Sequence, residues 1–113
     1  MYLILTREIW NGPYATSAFS EYAEILPEVG FDACDVDENQ LLSKCPSAKI
    51  LFERAIQHGI FIVGGTVAER VVGNGKEEDK IYNTCLCIDP KGKLVGKHRK
   101  MHLVSLQGIQ RNL

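Results

Sequence analysis

The sequence lacks the features by which membrane, secreted and nucleic-acid-binding proteins are usually recognised. No apolar run approaches the roughly 18 to 20 residues of a membrane-spanning helix, and the N-terminal MYLILTREIW has neither the basic start nor the cleavage site of a signal peptide. Its 13 basic and 14 acidic residues leave a formal net charge of -1, without the basic excess of a polyanion-binding domain. We therefore expect a cytoplasmic protein, with the mitochondrial matrix left open, that contacts neither a membrane nor nucleic acid.

Cysteines are too few and too closely spaced for a disulfide framework or a standard zinc site. The chain has four, Cys34, Cys45, Cys85 and Cys87. Nothing marks it as secreted, so we predict free thiols. The Cys-x-Cys pair at residues 85–87 precedes His98 and His102, but its cysteines are one residue closer than a zinc finger needs, and no helix is predicted to bring the histidines together. We expect no metal and no cofactor.

Two further motifs resemble ligand-binding loops and fail at defining positions. The acidic run Asp35-x-Asp37-x-Asn39 is followed by Gln40 and Pro46, where a calcium loop needs glycine and a bidentate glutamate. The run VVGNGKEED has Glu77 where a phosphate loop needs serine or threonine for magnesium, and it lacks the first glycine. Both segments are therefore interpreted as solvated surface loops.

The 113 residues contain short apolar runs and two amphipathic segments, which predict one α/β domain with helices packed on a mixed sheet. Strands are predicted at Tyr2–Thr6 and in the runs IFIVGG, TVAERVV, IYNTCLCID and KLVGKHRKMH, with DPKG as a hairpin turn between the last two. Helices are predicted at Ser17–Leu26 and from Pro46 to Gly59. The second helix carries an apolar stripe of Ile50, Leu51, Ala55 and Ile56.

Two charged residues are candidates for chemistry because of their places in these elements. Glu8 follows the first buried strand, and ligands in α/β sheets gather beyond the carboxyl ends of strands. The alternative is a surface carboxylate, which position alone favours. Lys100 lies in KHRKMH, where the two-residue period of a strand places His98, Lys100 and His102 on one face. A buried lysine there needs a carboxylate, for which Glu8 is a candidate, whereas charge pattern alone favours a solvated basic strand.

The segments REIWNGPYAT, IVGGTVAER and IYNTCLCIDPKGKLVGKHRKMHL, in that order, resemble the nitrilase (carbon-nitrogen hydrolase) superfamily, and most closely its omega-amidase branch. The similarity extends roughly from Leu3 to Leu103. It implies an α-β-β-α sandwich, of which residues 1–113 would form a single partial domain, incomplete at both ends. It also implies a small-molecule ω-amide substrate and a homo-oligomer in the full-length form.

The resemblance assigns roles to three residues. Glu8 corresponds to the general base of a Glu-Lys-Cys triad, Lys100 to its lysine, and Tyr14 is interpreted as a wall of the substrate pocket. In such a triad the carboxylate takes the thiol proton and later activates water, while the ammonium stabilises the oxyanion. The implied reaction is hydrolysis of 2-oxoglutaramate or 2-oxosuccinamate through a thioester, with release of ammonia.

The third member of the triad has no counterpart in the sequence. None of the four cysteines falls in the family's nucleophile motif, and Cys85 and Cys87 are interpreted as core thiols. We therefore expect a fragment that is inactive as 113 residues. The alternative left open is a catalytically dead binding or regulatory module that pairs with a full-length relative.

Overall fold

A computed structural model of the chain describes residues 3–5, 22–105 and 108–109, with side chains over residues 22–99. Its strands are β1 (Leu3–Leu5), β2 (Phe61–Val63), β3 (Val67–Val71), β4 (Lys80–Ile88), β5 (Leu94–Ser105) and β6 (Gly108–Ile109). A 3-10 helix spans Asn39–Lys44 and an α-helix, α1, spans Pro46–His58. Within these residues no helix combines the length and apolar character needed to cross a membrane.

The strands form one mixed six-stranded sheet in the order β1-β2-β4-β5-β6, with β3 also paired to β4. β1 and β2 are parallel, while β4 pairs in antiparallel fashion with β2, β3 and β5. β2 and β3 follow one another along the same edge of β4, because Ile62 pairs with Ile88 and Val67 pairs with Thr84. This arrangement confirms the predicted α/β class with helix packed on a mixed sheet.

The β4–β5 hairpin confirms the DPKG turn. Asp89 Oδ1 accepts hydrogen bonds from the backbone N–H groups of Lys91 and Lys93, both at 2.9 Å. Gly92 has a φ of +86°, which non-glycine residues rarely adopt. Local turn chemistry therefore fixes where the two longest strands of the sheet begin to pair.

Helix α1 covers one face of the sheet. It ends at Gly59, whose φ of +61° permits the left-handed cap, as the sequence predicts. Its buried side chains on this face include Leu51, Phe52 and Ala55, which meet Ile62, Val67, Leu86, Ile88 and Leu94 from the strands in one apolar core. The helix lies so close to the turn after β2 that a Cβ at Gly64 would approach Leu51 Cδ1 to 2.6 Å.

The predicted stripe of α1 is partly wrong. Leu51 and Ala55 are buried, but Ile50 and Ile56 are exposed, and Ala48 and Phe52 take their places in the core. Positions 48, 51, 52 and 55 follow the i, i+3, i+4, i+7 spacing of a single helix face, so the stripe is rotated from the predicted one. Phe52 makes an edge-to-face contact with Phe31 at a centroid distance of 5.2 Å.

The predicted helix Ser17–Leu26 is also wrong at its C-terminal end; residues 17–21 lie outside the described part. Tyr22 is helical, but Ala23–Leu26 is not. Glu24 pairs with β3 instead, since its N–H donates to Ala68 O at 3.0 Å and its C=O accepts from Arg70 N at 2.7 Å. The Glu24 carboxylate then accepts from Ser47 N at 3.0 Å and from the Ser47 hydroxyl, capping the start of α1.

Candidate active site

Four strands, β1, β2, β3 and β5, run in the same direction. β1 and β2 are parallel. β2, β3 and β5 each pair with β4 in antiparallel fashion, so they run in the same direction as one another and as β1. The pairing register aligns Leu5 with Val63, Val63 with Cys87, and Cys87 with Gly96. Past that row β1 and β2 have ended, whereas β5 continues to Ser105.

Lys100 lies in this extension of β5, at a β-bulge. Thr84 pairs with Arg99 and Asn83 pairs with Met101, so Lys100 is the extra residue between them. A bulge interrupts the two-residue alternation of a strand and redirects the residue that it contains. The predicted common face of His98, Lys100 and His102 assumed strict alternation, which does not hold at this position. The Lys100 side chain itself lies outside the described residues.

Glu8 and Tyr14, the predicted base and pocket residue, also lie outside the described residues. Glu8 is the third residue after the end of β1 at Leu5. The pairing of Lys100 with Glu8 stays a prediction.

Arg99, directly before this bulge, and its cross-strand partner Thr84 bind a buried glutamate. Glu69, on β3, accepts hydrogen bonds at Oε1 from Thr84 Oγ1 and Arg99 Nε, both at 2.8 Å. Its Oε2 lies 2.6 Å from Lys97 Nζ. The side chains of Glu69 and Lys97 are only 2% and 3% exposed. We call Glu69, Thr84, Lys97 and Arg99 the Glu69 cluster.

A loop residue, Glu28, closes the cluster from outside. Its Oε1 lies 2.9 Å from both Lys97 Nζ and Arg99 Nη2, and Lys97 also donates to Pro27 O at 3.0 Å. Partial burial opposes ionisation of Glu28, but the hydrogen bond and charge of Lys97, with the charge of Arg99, lower its pKa below the ordinary value. The hydrogen bond to Glu69 raises the pKa of Arg99 against partial burial. Glu28 and Arg99 are therefore both charged near neutral pH.

Sequence reasoning placed Lys97 and Arg99 on one face of β5, which is correct, but it missed their partner. The signal was present in TVAERVV, where the two-residue period of a strand places Glu69 on the same face as Val67 and Val71. An acid on an otherwise apolar strand face needs a buried cation. A carboxylate partner was predicted for Lys100. The structure shows such a partner for Lys97, whose Nζ binds Glu69.

The four cysteines are free thiols in three different settings. Cys34 is exposed, with its Sγ 3.3 Å from Lys91 O. Cys45 is buried beside α1, and this burial, with the nearby Glu24 charge, raises its pKa to about 11. Cys85 and Cys87 are half-buried on β4, and burial, followed by the proximity of Cys87, raises the pKa of Cys85. Thiols with raised pKa values are poor nucleophiles at neutral pH.

In the described part of the chain an open groove, but no metal site, adjoins the cluster. Across those residues, three or more His, Cys, Asp or Glu side chains never converge in a way that could hold a metal ion. An open groove of about 530 Å³ is lined by residues 26–31 with Glu38 and Leu41. It contains no predicted site residue.

The sequence and the fold of this chain both resemble those of known proteins. A family model described as carbon-nitrogen hydrolase matches residues 1–112. The chain belongs to the carbon-nitrogen hydrolase family. This finding confirms the resemblance on which Glu8 and Lys100 were selected, and it covers nearly the whole sequence.

Similar proteins agree with the family. The chain is 38% identical over 104 residues to a chloroplastic omega-amidase of Arabidopsis thaliana, covering 92% of this chain and 23% of that one. It is 33% identical to omega-amidase NIT2-A of Xenopus laevis, with 92% and 29% coverage. The crystal structure of Saccharomyces cerevisiae Nit3, of branch 10 of the nitrilase superfamily, superposes with a TM-score of 0.63 at 27% identity, covering 98% of this chain and 35% of that one.

The fold is therefore nitrilase-like, and the chain is similar in sequence to the omega-amidases named above. It spans about a quarter of the length of the curated relatives that it matches, from 23% to 29% for those named above. The activity, substrates and assembly of a whole enzyme consequently enter only as proposals.

Proposed function

We propose that this chain supplies the base and the lysine of an omega-amidase that hydrolyses 2-oxoglutaramate and 2-oxosuccinamate to the 2-oxo acid and ammonia. The observation that carries the proposal is membership of the carbon-nitrogen hydrolase family, supported by the similarity to omega-amidases. The place of Lys100 is consistent with it, because its bulge lies past the row where β1 and β2 end. Ligands of open α/β sheets bind beyond the carboxyl ends of such strands.

In the proposed mechanism Glu8 takes the proton of a cysteine thiol as the thiolate attacks the amide carbon. The Lys100 ammonium stabilises the negative charge that develops on the carbonyl oxygen. The tetrahedral intermediate collapses with cleavage of the C–N bond, and the nitrogen leaves as ammonia after receiving the proton from Glu8. Glu8 then deprotonates water, which hydrolyses the thioester and restores the thiol.

We further propose that the attacking thiol is none of the four cysteines of this chain. Burial raises the pKa of Cys45 to about 11 and raises that of Cys85 as well. Cys87 lies on the same strand as Cys85, and Cys34 lies on an exposed loop against Lys91 O. The 113-residue chain alone should therefore release no ammonia from 2-oxoglutaramate. Ammonia release that disappears in Lys100→Ala would contradict this expectation.

The experiment that tests the proposal is sequencing of the transcript through and beyond the codon for Leu113, followed by expression of its product. An in-frame continuation should restore the missing cysteine of the triad, and the product should hydrolyse 2-oxoglutaramate. Lys100→Ala should then lower kcat by about 10²- to 10³-fold, the effect of losing one oxyanion donor. Lys91→Ala, at the exposed hairpin turn, is the matched control and should keep full activity.

A stop codon directly after Leu113 would instead favour the binding or regulatory module. Co-purification of the tagged 113-residue chain with a full-length relative would support that function. A monomer that binds no relative would contradict it.

A further inference from the structure

The Glu69 cluster lies directly beside the backbone position of Lys100, the residue that the proposed mechanism needs. Thr84 and Arg99 are direct partners across the β4–β5 ladder, and the next pair is Asn83 with Met101. Lys100 is the unpaired residue between these two pairs. The side chains of the first pair both donate to the same atom, Glu69 Oε1, at 2.8 Å.

This double contact fixes the register at one point. A bulge can in principle move along a strand, because the backbone hydrogen bonds on either side are chemically alike. Moving it by one residue toward the hairpin turn would make Arg99 the extra residue and pair Lys100 with Thr84, so Arg99 would leave its place on the face of the sheet that carries Glu69. Glu69 would then lose both the 2.8 Å bond from Nε and the 3.2 Å bond from Nη2.

Apolar contacts define the place of a bulge less sharply than this ion pair does, although the β4–β5 pairing also shifts between Ile81 and Tyr82 and, near the apolar end, between Cys87 and Ile88. Hydrophobic contacts are non-directional, and cores accept similar side chains in several packings. A bidentate guanidinium–carboxylate pair has a defined geometry. Buried ion pairs often add little stability relative to apolar replacements, and their best-attested use is to specify a register.

We propose that Glu69 is a positioning residue for Lys100, which keeps the β5 bulge from moving past Arg99 toward the hairpin turn by binding Arg99 and Thr84 together. The inference rests on the proposed function, because the position of Lys100 has a catalytic meaning only if that lysine acts on substrate. Glu69 itself acts through Arg99 and touches no reacting atom.

The register of the 113-residue chain tests the proposal without any need for activity. Cross-strand proton contacts in NMR spectra of labelled protein should show Thr84 opposite Arg99 in the natural chain. In Arg99→Met, which leaves Glu69 paired with Lys97, these contacts should weaken and the Lys100 amide signal should shift or split. The Leu94–Ile88 contacts should be unchanged, because they lie at the apolar end.

Two further variants separate positioning from stability. Replacing Glu69, Lys97 and Arg99 together by Leu, Met and Met removes every buried charge of the cluster, so the chain should stay folded while the bulge loses its fixed place. Asp79→Asn is the matched control, because it removes another carboxylate–arginine contact, 3.2 Å from Arg70, from the same sheet. Its bulge contacts should equal those of the natural chain.

The bulge contacts of a folded triple variant decide the matter. If they match those of the natural chain, Glu69 does not specify the register and the proposal is overturned. If the register changes in the triple variant and in Arg99→Met, but not in Asp79→Asn, the proposal is supported. Unchanged turnover in Lys100→Ala of an active longer product would contradict the proposed function instead, and it would leave the register result standing.

Discussion

One face of the β4–β5 hairpin is apolar near the turn and charged farther along the strands. The two ends of this face stabilise the sheet by different means. Near the turn, Leu86, Ile88 and Leu94 pack into the core under α1 and are at most 1% exposed. Farther along, the same face carries Lys97 and Arg99, which bind Glu69. The apolar end gains stability in proportion to buried area, whereas the charged end depends on complete pairing. The difference predicts unequal responses to mutation.

The largest expected effect comes from breaking the charged end on one side. Glu69→Gln should lower the free energy of unfolding by about 3–5 kcal/mol, because it leaves Lys97 as a buried charge without its principal partner. The triple replacement by Leu, Met and Met should recover most of this loss. Urea unfolding of the three proteins measures both. If the triple variant were as unstable as Glu69→Gln, the stability of the charged end would not depend on complete charge pairing, and this interpretation would be contradicted.

The second-largest expected effect concerns the thiol of Cys45, which lies in the apolar core. The pKa of Cys45 is raised from an ordinary value of 9.0 to about 11. Between these values the unfolded chain has lost the thiol proton and the folded chain retains it, so rising pH favours unfolding. The loss should reach about 2 kcal/mol by pH 11. Urea unfolding between pH 8 and 11 should show a steeper fall for the natural chain than for Cys45→Ala, and equal slopes would contradict the assignment.

A smaller effect is expected when the apolar end loses a single methylene group. Ile88 is fully buried, and Ile88→Val should cost about 1 kcal/mol because the surrounding side chains stay apolar and partly relax. The measurement is urea unfolding. Val95→Ala, on an exposed side chain of the same hairpin, is the control and should change stability by less. A loss as large as that of Glu69→Gln would remove the distinction between the two ends.

The same contrast explains how much could be predicted from the sequence. Strands and the hairpin followed from periodicity and turn residues, and the end of α1 followed from Gly59, because these signals are local. The rotation of α1 that buries Phe52 in place of Ile50 depends on which strands it meets. The departure of Glu24 from the predicted helix likewise depends on its pairing with Ala68 and Arg70, which are distant in sequence.

The candidate site could likewise be predicted from the sequence only in part. Lys100 was selected by resemblance, and its strand was predicted correctly, but the bulge was not. A bulge leaves no regular mark in the sequence, because it is defined by the count of residues on the opposite strand. Glu69 could have been found from its place on an apolar strand face, whereas its partners are 28 and 30 residues away, as the numbering of Lys97 and Arg99 shows.

The smallest expected effect distinguishes the exposed from the buried part of the charged end. Glu28 binds the same two cations as Glu69, but its side chain is 70% exposed. Because its pKa is lowered in the folded chain, its contribution is present above the ordinary value of 4.5 and is lost as pH falls through the folded value. Water and salt screen such a pair, so Glu28→Gln should destabilise the chain only slightly near neutral pH.

Urea unfolding at pH 7 in low salt and in about 1 M sodium chloride checks this, because the Debye length falls to about 3 Å at the higher concentration. The difference between the natural chain and Glu28→Gln should disappear in high salt, while the difference for Glu69→Gln should persist. Buried pairs are screened far less than exposed ones. If both differences vanished together, Glu69 would behave as a surface carboxylate, and the buried anchor proposed for the β5 bulge would lose its physical basis.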